Sequence, residues 1–356
     1  MCGAPNPPPP VTAAETLPPA LATEFSRFTL EQWYPLVEAH TPRTTLLPLS
    51  RDTAAQVLSA HGAARALPDE RVADLSPLSD AEAVLRSTLL PELQAHLAPF
   101  ASAFVKSAGR SPKDAVLRSG RLRASYEAAM LAHVADAPAL AALTPNDRLG
   151  LFLAAGGDAL RHVPGDGARL LRLLVLSERV ADDLRIALRM RVMPALVFRE
   201  WKPTRVDAEF RLFVVHGTLT GITQYLHTYF SPLLVAKQAA VRTLLSAYFA
   251  QLGPLLAQYD TYALDVAIGG FGPDEAAWQP YVLEVNPFFE ATGDGLFTDP
   301  SGQDIIHGRC VGAQYPVMRV QERPQGLTVM DRKWRDMMSA AEAAVRARLE
   351  AGSAGQ

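Results

Sequence analysis

Cysteine is nearly absent from this chain. Only Cys2 and Cys310 occur in 356 residues, so neither a disulfide framework nor a cysteine metal site is available, which fits a reducing cytosol. No apolar run reaches the roughly 18 residues that a membrane helix needs. The Pro-rich start, Pro7 to Pro10, lacks the basic and apolar regions of a signal peptide. Strong charge of either sign is missing too. The 34 basic and 37 acidic residues leave −3, so no basic field draws the chain to nucleic acid or to an anionic membrane. There is no Gly-x-x-x-x-Gly-Lys, and no Gly-x-Gly-x-x-Gly opens a helix, which argues against both common phosphate-loop designs. The 8 histidines show no metal-ligand spacing and no Gly-x-Ser-x-Gly elbow is present. These absences predict a cytoplasmic protein with neither membrane nor nucleic acid as partner.

Lysine is the other scarce residue. Only Lys106, Lys113, Lys202, Lys237 and Lys333 occur, and the remaining cations are arginine. Lysines that survive in such a chain are candidates for work that arginine does badly, such as presenting a compact ammonium to phosphate. Chance survival is the ordinary alternative, and it is the one adopted for Lys237 and Lys333, whose helical faces are expected to be exposed. The Ala- and Arg-rich composition points to a GC-rich, bacterial type of genome.

What is present is an ordinary globular balance, 49% apolar and 20% charged, in a chain long enough for two or three packed lobes. Residues 1–20 are Pro- and Ala-rich without periodicity, and read as a disordered tail. Residues 21–190 read as an N-terminal, largely helical lobe. Within it, helix starts near Phe28 to Tyr34, a strand runs over Arg43 to Leu49, and helical spacing over 80–97 is kinked or split by Pro91. A strand at Ala103 to Lys106 leads into the polar turn Ser107 to Lys113. Helices then fill 119–190, with breaks near Gly156-Gly157 and at Pro164 to Gly167. Residues 191–320 read as a second lobe: a strand from Leu196, a hairpin over Ala208 to Tyr225 turning at His216-Gly217, and a helix capped by Ser231-Pro232. A long hairpin follows over 262–287. Residues 321–356 form an amphipathic helix and tail. The order is mixed α+β.

The 262–287 hairpin carries the strongest chemistry. In Tyr262-Ala-Leu-Asp-Val-Ala-Ile268, Tyr262, Leu264, Val266 and Ile268 take one face and Asp265 the other. In Tyr281-Val-Leu-Glu-Val-Asn-Pro287, Glu284 and Asn286 are two apart and share a face. Folding the strands together sets two carboxylates and a carboxamide on one surface, an oxygen donor set suited to Mg²⁺ on nucleotide phosphates. A satisfied polar sheet face is the alternative. On the earlier hairpin, Glu209 and Arg211 oppose Phe210, Leu212 and Val214. That pattern reads as well as an exposed sheet face as it does as a cleft wall, in which Arg211 would meet a terminal phosphate and Glu209 a ribose hydroxyl. The segment Phe198-Arg199-Glu200-Trp201 leaves a strand and is able to present backbone groups to an adenine edge, or is a strand end with a core Trp. Lys106, beside its Gly- and Ser-containing turn, is placed to reach α and β phosphates.

Taken in order, these pieces resemble an ATP-grasp nucleotide site, and more narrowly the cell division cycle protein 123 family. Trp33-Tyr-Pro35, His40-Thr41 and Leu47-Pro-Leu49 resemble its N-terminal signature. Phe104-Val-Lys106 with Arg110-Ser-Pro-Lys113-Asp114 resembles its first nucleotide segment. Ser177-Glu-Arg179, Arg199-Glu-Trp201, Glu209 to Phe213, Gly221 to Gln224, Asp265-Val266, Glu284 to Phe288, Asp294 and Leu296 to Thr298 follow in the family's order. The resemblance covers roughly residues 25–300. It departs where Glu284 stands in place of a frequent Asp, where Phe289 replaces a usual Gly, and in the hinge loop Lys202 to Arg205.

The resemblance implies an ATP-grasp fold of two lobes, with antiparallel sheets and helices, enclosing Mg-ATP. By it, Lys106 and Arg211 would serve the phosphates, with Lys113 nearby. Phe198, Arg199, Glu200 and Trp201 would frame adenine and Glu209 the ribose, while Asp265, Glu284 and Asn286 would hold the metal. In eukaryotes the family is an ATP-dependent assembly chaperone for translation initiation factor 2, so a protein partner is expected, a translation factor subunit if the source is eukaryotic. The alternative is an ATP-grasp ligase that makes an acyl phosphate and passes it to an amine or other nucleophile. A bacterial source lacks the trimeric eukaryotic factor and would add weight to the ligase. A carboxylate-binding arginine among Arg110, Arg179 and Arg199 is the feature that would distinguish it. A nucleotide binder with degenerate chemistry is a third reading, against which the intact acidic set argues.

Overall fold

The computed structural model describes residues 27–68, 72, 76–288, 292–310, 312 and 314–354. The 1–20 tail, with Cys2, and Phe289 lie outside them. The chain is mixed α+β and divides into two compact units. One comprises 41–206 with 332 onward; the other comprises the residues up to His40 with Asp207–Asp331. These boundaries differ from the 21–190, 191–320 and 321–356 read from the sequence, and strand pairing is the reason. The strand expected to open the second lobe is hydrogen-bonded inside the first unit's sheet, and the C-terminal helix packs on the helix Arg121–His133.

The first unit holds a four-stranded sheet of β1 (Thr44–Pro48), β2 (Ala103–Ser107), β3 (Arg161–His162) and β4 (Ala195–Glu200), in the order β1-β4-β2-β3 with antiparallel pairs. Helices Asp80–Thr88 and Leu90–Leu97 confirm the split at Pro91, which sits in the first turn of the second helix, where its missing N–H costs no hydrogen bond. The break expected near Gly156-Gly157 is there: helix Pro145–Asp158, its start secured by a capping box between Thr144 and Asp147, ends one residue after the pair, and the chain passes into β3. Helix Arg51–Arg65, absent from the sequence reading, buries the small-residue stripe Ala54, Val57, Ala60, His61 and Ala64.

The second unit is built on β5 (Glu209–Val215), β6 (Thr218–Gln224), β7 (Tyr262–Gly269), β8 (Gln279–Pro287) and β9 (Val317–Arg319), ordered β8-β7-β5-β6-β9. Among the described residues of this sheet, β6 and β9 pair in parallel and the other neighbours antiparallel. The β5–β6 turn places His216 at φ 48° and Gly217 at φ 69°, the two positive values that a two-residue hairpin turn needs to match strand twist. Helix Pro232–Leu252 is started by the Ser231 hydroxyl, which accepts the Leu234 N–H at 3.1 Å. It buries Leu234, Val241, Leu245, Tyr248 and Leu252, each such apolar side chain contributing about 1.5–3 kcal/mol.

Two bulges decide which residues share a face. On the β5–β6 ladder the register shifts between Phe213 and Val214, so Arg211 pairs with Thr223. On the β7–β8 ladder it shifts at Asp265/Val266, so Asp265 stands opposite Glu284. Without that extra residue the partner of Asp265 would be Leu283, and every side chain beyond would face the other way.

Candidate functional site

In the five-stranded unit, Arg211 lies opposite Asp265 on neighbouring strands. Its guanidinium donates from Nε to Asp265 Oδ1 and from Nη2 to Oδ2, both at 2.8 Å. Asn286 Nδ2 donates to the same Oδ2 at 3.1 Å. Arg211 Nη1 donates to the Gly293 carbonyl at 3.0 Å, and the guanidinium carbon lies 5.2 Å from the Tyr225 ring centroid, a cation–π distance. The pair is nearly closed to water, with side-chain exposures of 14% for Arg211 and 5% for Asp265. Burial opposes the charge on Arg211, yet the carboxylate and its hydrogen bonds outweigh it and hold the guanidinium more firmly protonated than usual. Burial, and after it the charge of Asp265, raises the Tyr225 phenol well above its ordinary value. Glu284 and Glu209, both half-buried, bear electrostatically on this centre. The face is polar only at this end. Beyond Arg211 it becomes core at Phe213, which packs with Phe297, Ala263 and Ile306.

The arrangement suits a divalent cation by donor chemistry. Because a carboxylate only accepts, Asn286 must turn its NH₂ to Asp265, which leaves its carbonyl oxygen for a cation. Among the described residues, no three His, Cys, Asp or Glu side chains gather to hold a metal unaided. A cation here would complete its shell from a phosphate and water, as Mg²⁺ ordinarily does. Asp265 would then be shared between the ion and Arg211.

In the four-stranded unit, Lys106 pairs across to Val197 and Phe104 to Arg199, so Lys106 and Arg199 share a face two positions apart. Both are buried, at 5% and 6% exposure. Arg199 Nη2 donates to the Thr41 hydroxyl. Phe198 turns to the opposite face, fully buried against the His96 ring at 5.3 Å. The backbone N–H groups of Glu200 and Trp201, expected to be on offer to a base edge, are spent on Arg43 O at 2.8 Å and Ser102 O at 2.9 Å. The Glu200 carboxylate pairs with Lys202 at 3.0 Å, and Trp201 is half-buried. Lys113 is exposed, and the turn before it is held by carboxylates. Gly109 N–H donates to Asp183 Oδ2 at 2.9 Å, and a Cβ at Gly109 would come within 2.6 Å of Asp183 Oδ1. Asp114 caps helix Glu178–Met190, accepting from the Ser177 hydroxyl at 2.7 Å and the Glu178 N–H at 2.8 Å.

Arg211, Asp265, Glu284 and Asn286 are thus gathered on one sheet face, with Glu209 at its edge, while Lys106, Lys113 and Phe198 to Trp201 belong to the other unit. Gly293 had no place in the sequence reading, Tyr225 figured there only as a hairpin end, and Asp114 only within a matched segment, without the cap it makes.

The fold and this face, whose strands lie in the stretch that matches a known family, define the class: a mixed α+β protein with a D123 domain, whose family model matches residues 173–302. The resemblance read from the sequence agrees with this match. Among solved structures the chain is similar to Cdc123 from Schizosaccharomyces pombe, at TM-score 0.53 and 19% identity, covering 85% of this chain and 98% of that one. It is also similar to the C-terminally truncated form of that protein, at TM-score 0.51 and 18% identity with the same coverages. These likenesses show the fold. No curated protein matches. Among the described residues, no helix is long and apolar enough to cross a membrane.

Proposed function

We propose that this chain is an ATP-grasp protein that binds Mg-ATP and acts as an ATP-dependent assembly chaperone for a protein complex. The observation that carries the reading is the single face holding Arg211, Asp265, Glu284 and Asn286, within a segment matching the D123 model. On this reading Asp265, Glu284 and Asn286 hold the metal, which when bound neutralises phosphate charge. Arg211 faces the phosphate end from a fixed position and Glu209 orients the ribose. The resemblance assigns Lys106 to the phosphates, with Lys113 near them, and the 198–201 segment to adenine.

The ligase alternative needs an arginine for a second carboxylate. Two of the three candidates are tied to the protein itself, Arg179 Nε donating to Ser111 O at 3.0 Å and Arg199 to Thr41, while Arg110 is 41% exposed and 4.0 Å from Asp182. That favours binding over ligation. The test is ADP and phosphate release from Mg-ATP, with and without pooled amino acids and small peptides. Nucleotide bound without turnover is expected. Turnover stimulated by the pool would make the protein a ligase, and no nucleotide binding at all would refute both.

A further inference from the structure

Helix Glu178–Met190 is closed by a residue under strain. The Val192 N–H donates to the Ala187 carbonyl at 3.1 Å and the Arg191 N–H to that of Leu188 at 3.3 Å, with Arg191 left-handed at φ 57°. Glycine is the usual occupant of that position, because a side chain there is strained. In such a closure the following residue commonly packs back on the helix, yet Val192 is 46% exposed. Met190 and Met193 beside it are exposed by 36% and 67%. Among the described residues, three of the seven exposed large apolar side chains fall within these four consecutive positions.

Uncompensated charge lies with them. Arg189 and Arg191 are exposed, and among the described residues neither guanidinium has a hydrogen-bond or ion-pair partner. The acids of this helix are spent nearer its start, Glu178 and Asp182 on Arg185 at 3.0 and 2.7 Å and Asp183 on the Gly109 N–H. The helix dipole accounts for a cation in the last turn, Arg189, but not for one in the strained position beyond it. Methionine and arginine are the residues that protein interfaces enrich, methionine because it adapts its shape to what it meets.

We propose that residues 189–193 are a docking surface for an acidic segment of a partner protein, one that presents Asp or Glu beside a large apolar side chain. The apolar side chain packs among Met190, Val192 and Met193, and the carboxylates pair with Arg189 and Arg191. Two cations are too few to hold a chain on an anionic lipid surface, where clusters of about 4–8 are the rule. The inference goes beyond the nucleotide reading and does not depend on it.

The test selects random peptides displayed on phage against the full chain. Enriched sequences should carry two or more Asp or Glu around a Leu, Ile, Phe or Met. The most enriched peptide is then titrated, by fluorescence anisotropy, with the wild type, Arg191→Gly and the double variant Arg189→Glu/Arg191→Glu. Arg191→Gly relieves the left-handed strain, so it should unfold no earlier than the wild type while binding roughly threefold more weakly. Charge reversal should weaken binding roughly tenfold or more, and added salt should weaken the wild type. No enrichment, enrichment of sequences without acids, or an affinity unchanged in both variants would overturn the proposal. So would pelleting with phosphatidylserine vesicles, or dimerisation in sedimentation equilibrium, that Arg191→Gly abolishes, since the patch would then serve a membrane or a second copy.

Discussion

The two sheets both bury cations, and they treat them in opposite ways. In the five-stranded unit Arg211 meets a carboxylate across the ladder, bonded through both oxygens at 2.8 Å. In the four-stranded unit Lys106 and Arg199 share one face, and the residues opposite them in the strands are Val197, Phe104 and Thr44 rather than acids. The nearby acids Asp114 and Asp183 hold the 107–114 turn and a helix start instead. The first sheet is electrostatically closed and preformed, so its side chains keep their places without a ligand. In the second, Lys106 and Arg199 share a buried face whose strand neighbours are apolar or hydroxyl-bearing.

The contrast should be broken most severely at Asp265. Asp265→Asn leaves the Arg211 charge buried and uncompensated, and is expected to cost about 3–5 kcal/mol of stability, read as a lower urea midpoint. A loss below about 1 kcal/mol would mean that the pair is solvated and the sheet not closed. Metal-site mutagenesis is therefore cleaner at Glu284.

Acid should find the four-stranded unit instead. His162 is fully buried on β3, and neither ring nitrogen meets a hydrogen-bond partner. Burial, and then the charge of Arg121, depress it to about 3 from 6.5. Above 6.5 both folded and unfolded chains carry it neutral, so it has no effect. As pH falls from 6.5 towards 3 the unfolded chain takes the proton and the folded one refuses it, so stability is lost through that window, by about 3 kcal/mol at pH 4. His162→Leu should flatten that part of the pH profile measured by urea unfolding; an unchanged slope would exclude the histidine.

The smallest effect is expected from the lysines. Lys106→Ala should weaken Mg-ATP binding roughly tenfold or more, about 1.4 kcal/mol. Lys333 is exposed and lies over the neighbouring Trp334 ring at 5.3 Å, so Lys333→Ala should leave binding unchanged. Equal effects in a binding titration would dissolve the distinction between a buried strand lysine and an exposed helical one.

Much of this was legible in the chain because alternation and turn chemistry are local. The 262–287 hairpin, the His216-Gly217 turn and the Ser231 cap all stand where their residues point. Tyr225 was not legible, for a definite reason. An unbroken β5–β6 ladder would set Gln224 opposite Glu209, and the bulge at Phe213/Val214 advances the register by one, bringing Tyr225 to the arginine's face. Gly293 comes from a loop with no periodicity to read, and β9, only three residues long, is recruited by tertiary pairing with β6. The unit boundaries were missed because β4 follows a long helical stretch in sequence but pairs back between β1 and β2.

Whether the acidic face of the five-stranded sheet holds metal-bound nucleotide, as proposed, is decided by calorimetric titration of adenylyl imidodiphosphate into the wild type and Glu284→Gln, with Mg²⁺ and with EDTA. Wild-type binding should weaken at least tenfold on chelation, and the variant should unfold at the same temperature yet bind with Mg²⁺ no better than without it. Nucleotide affinity indifferent to both Mg²⁺ and Glu284, or the absence of nucleotide binding, would refute the proposed site.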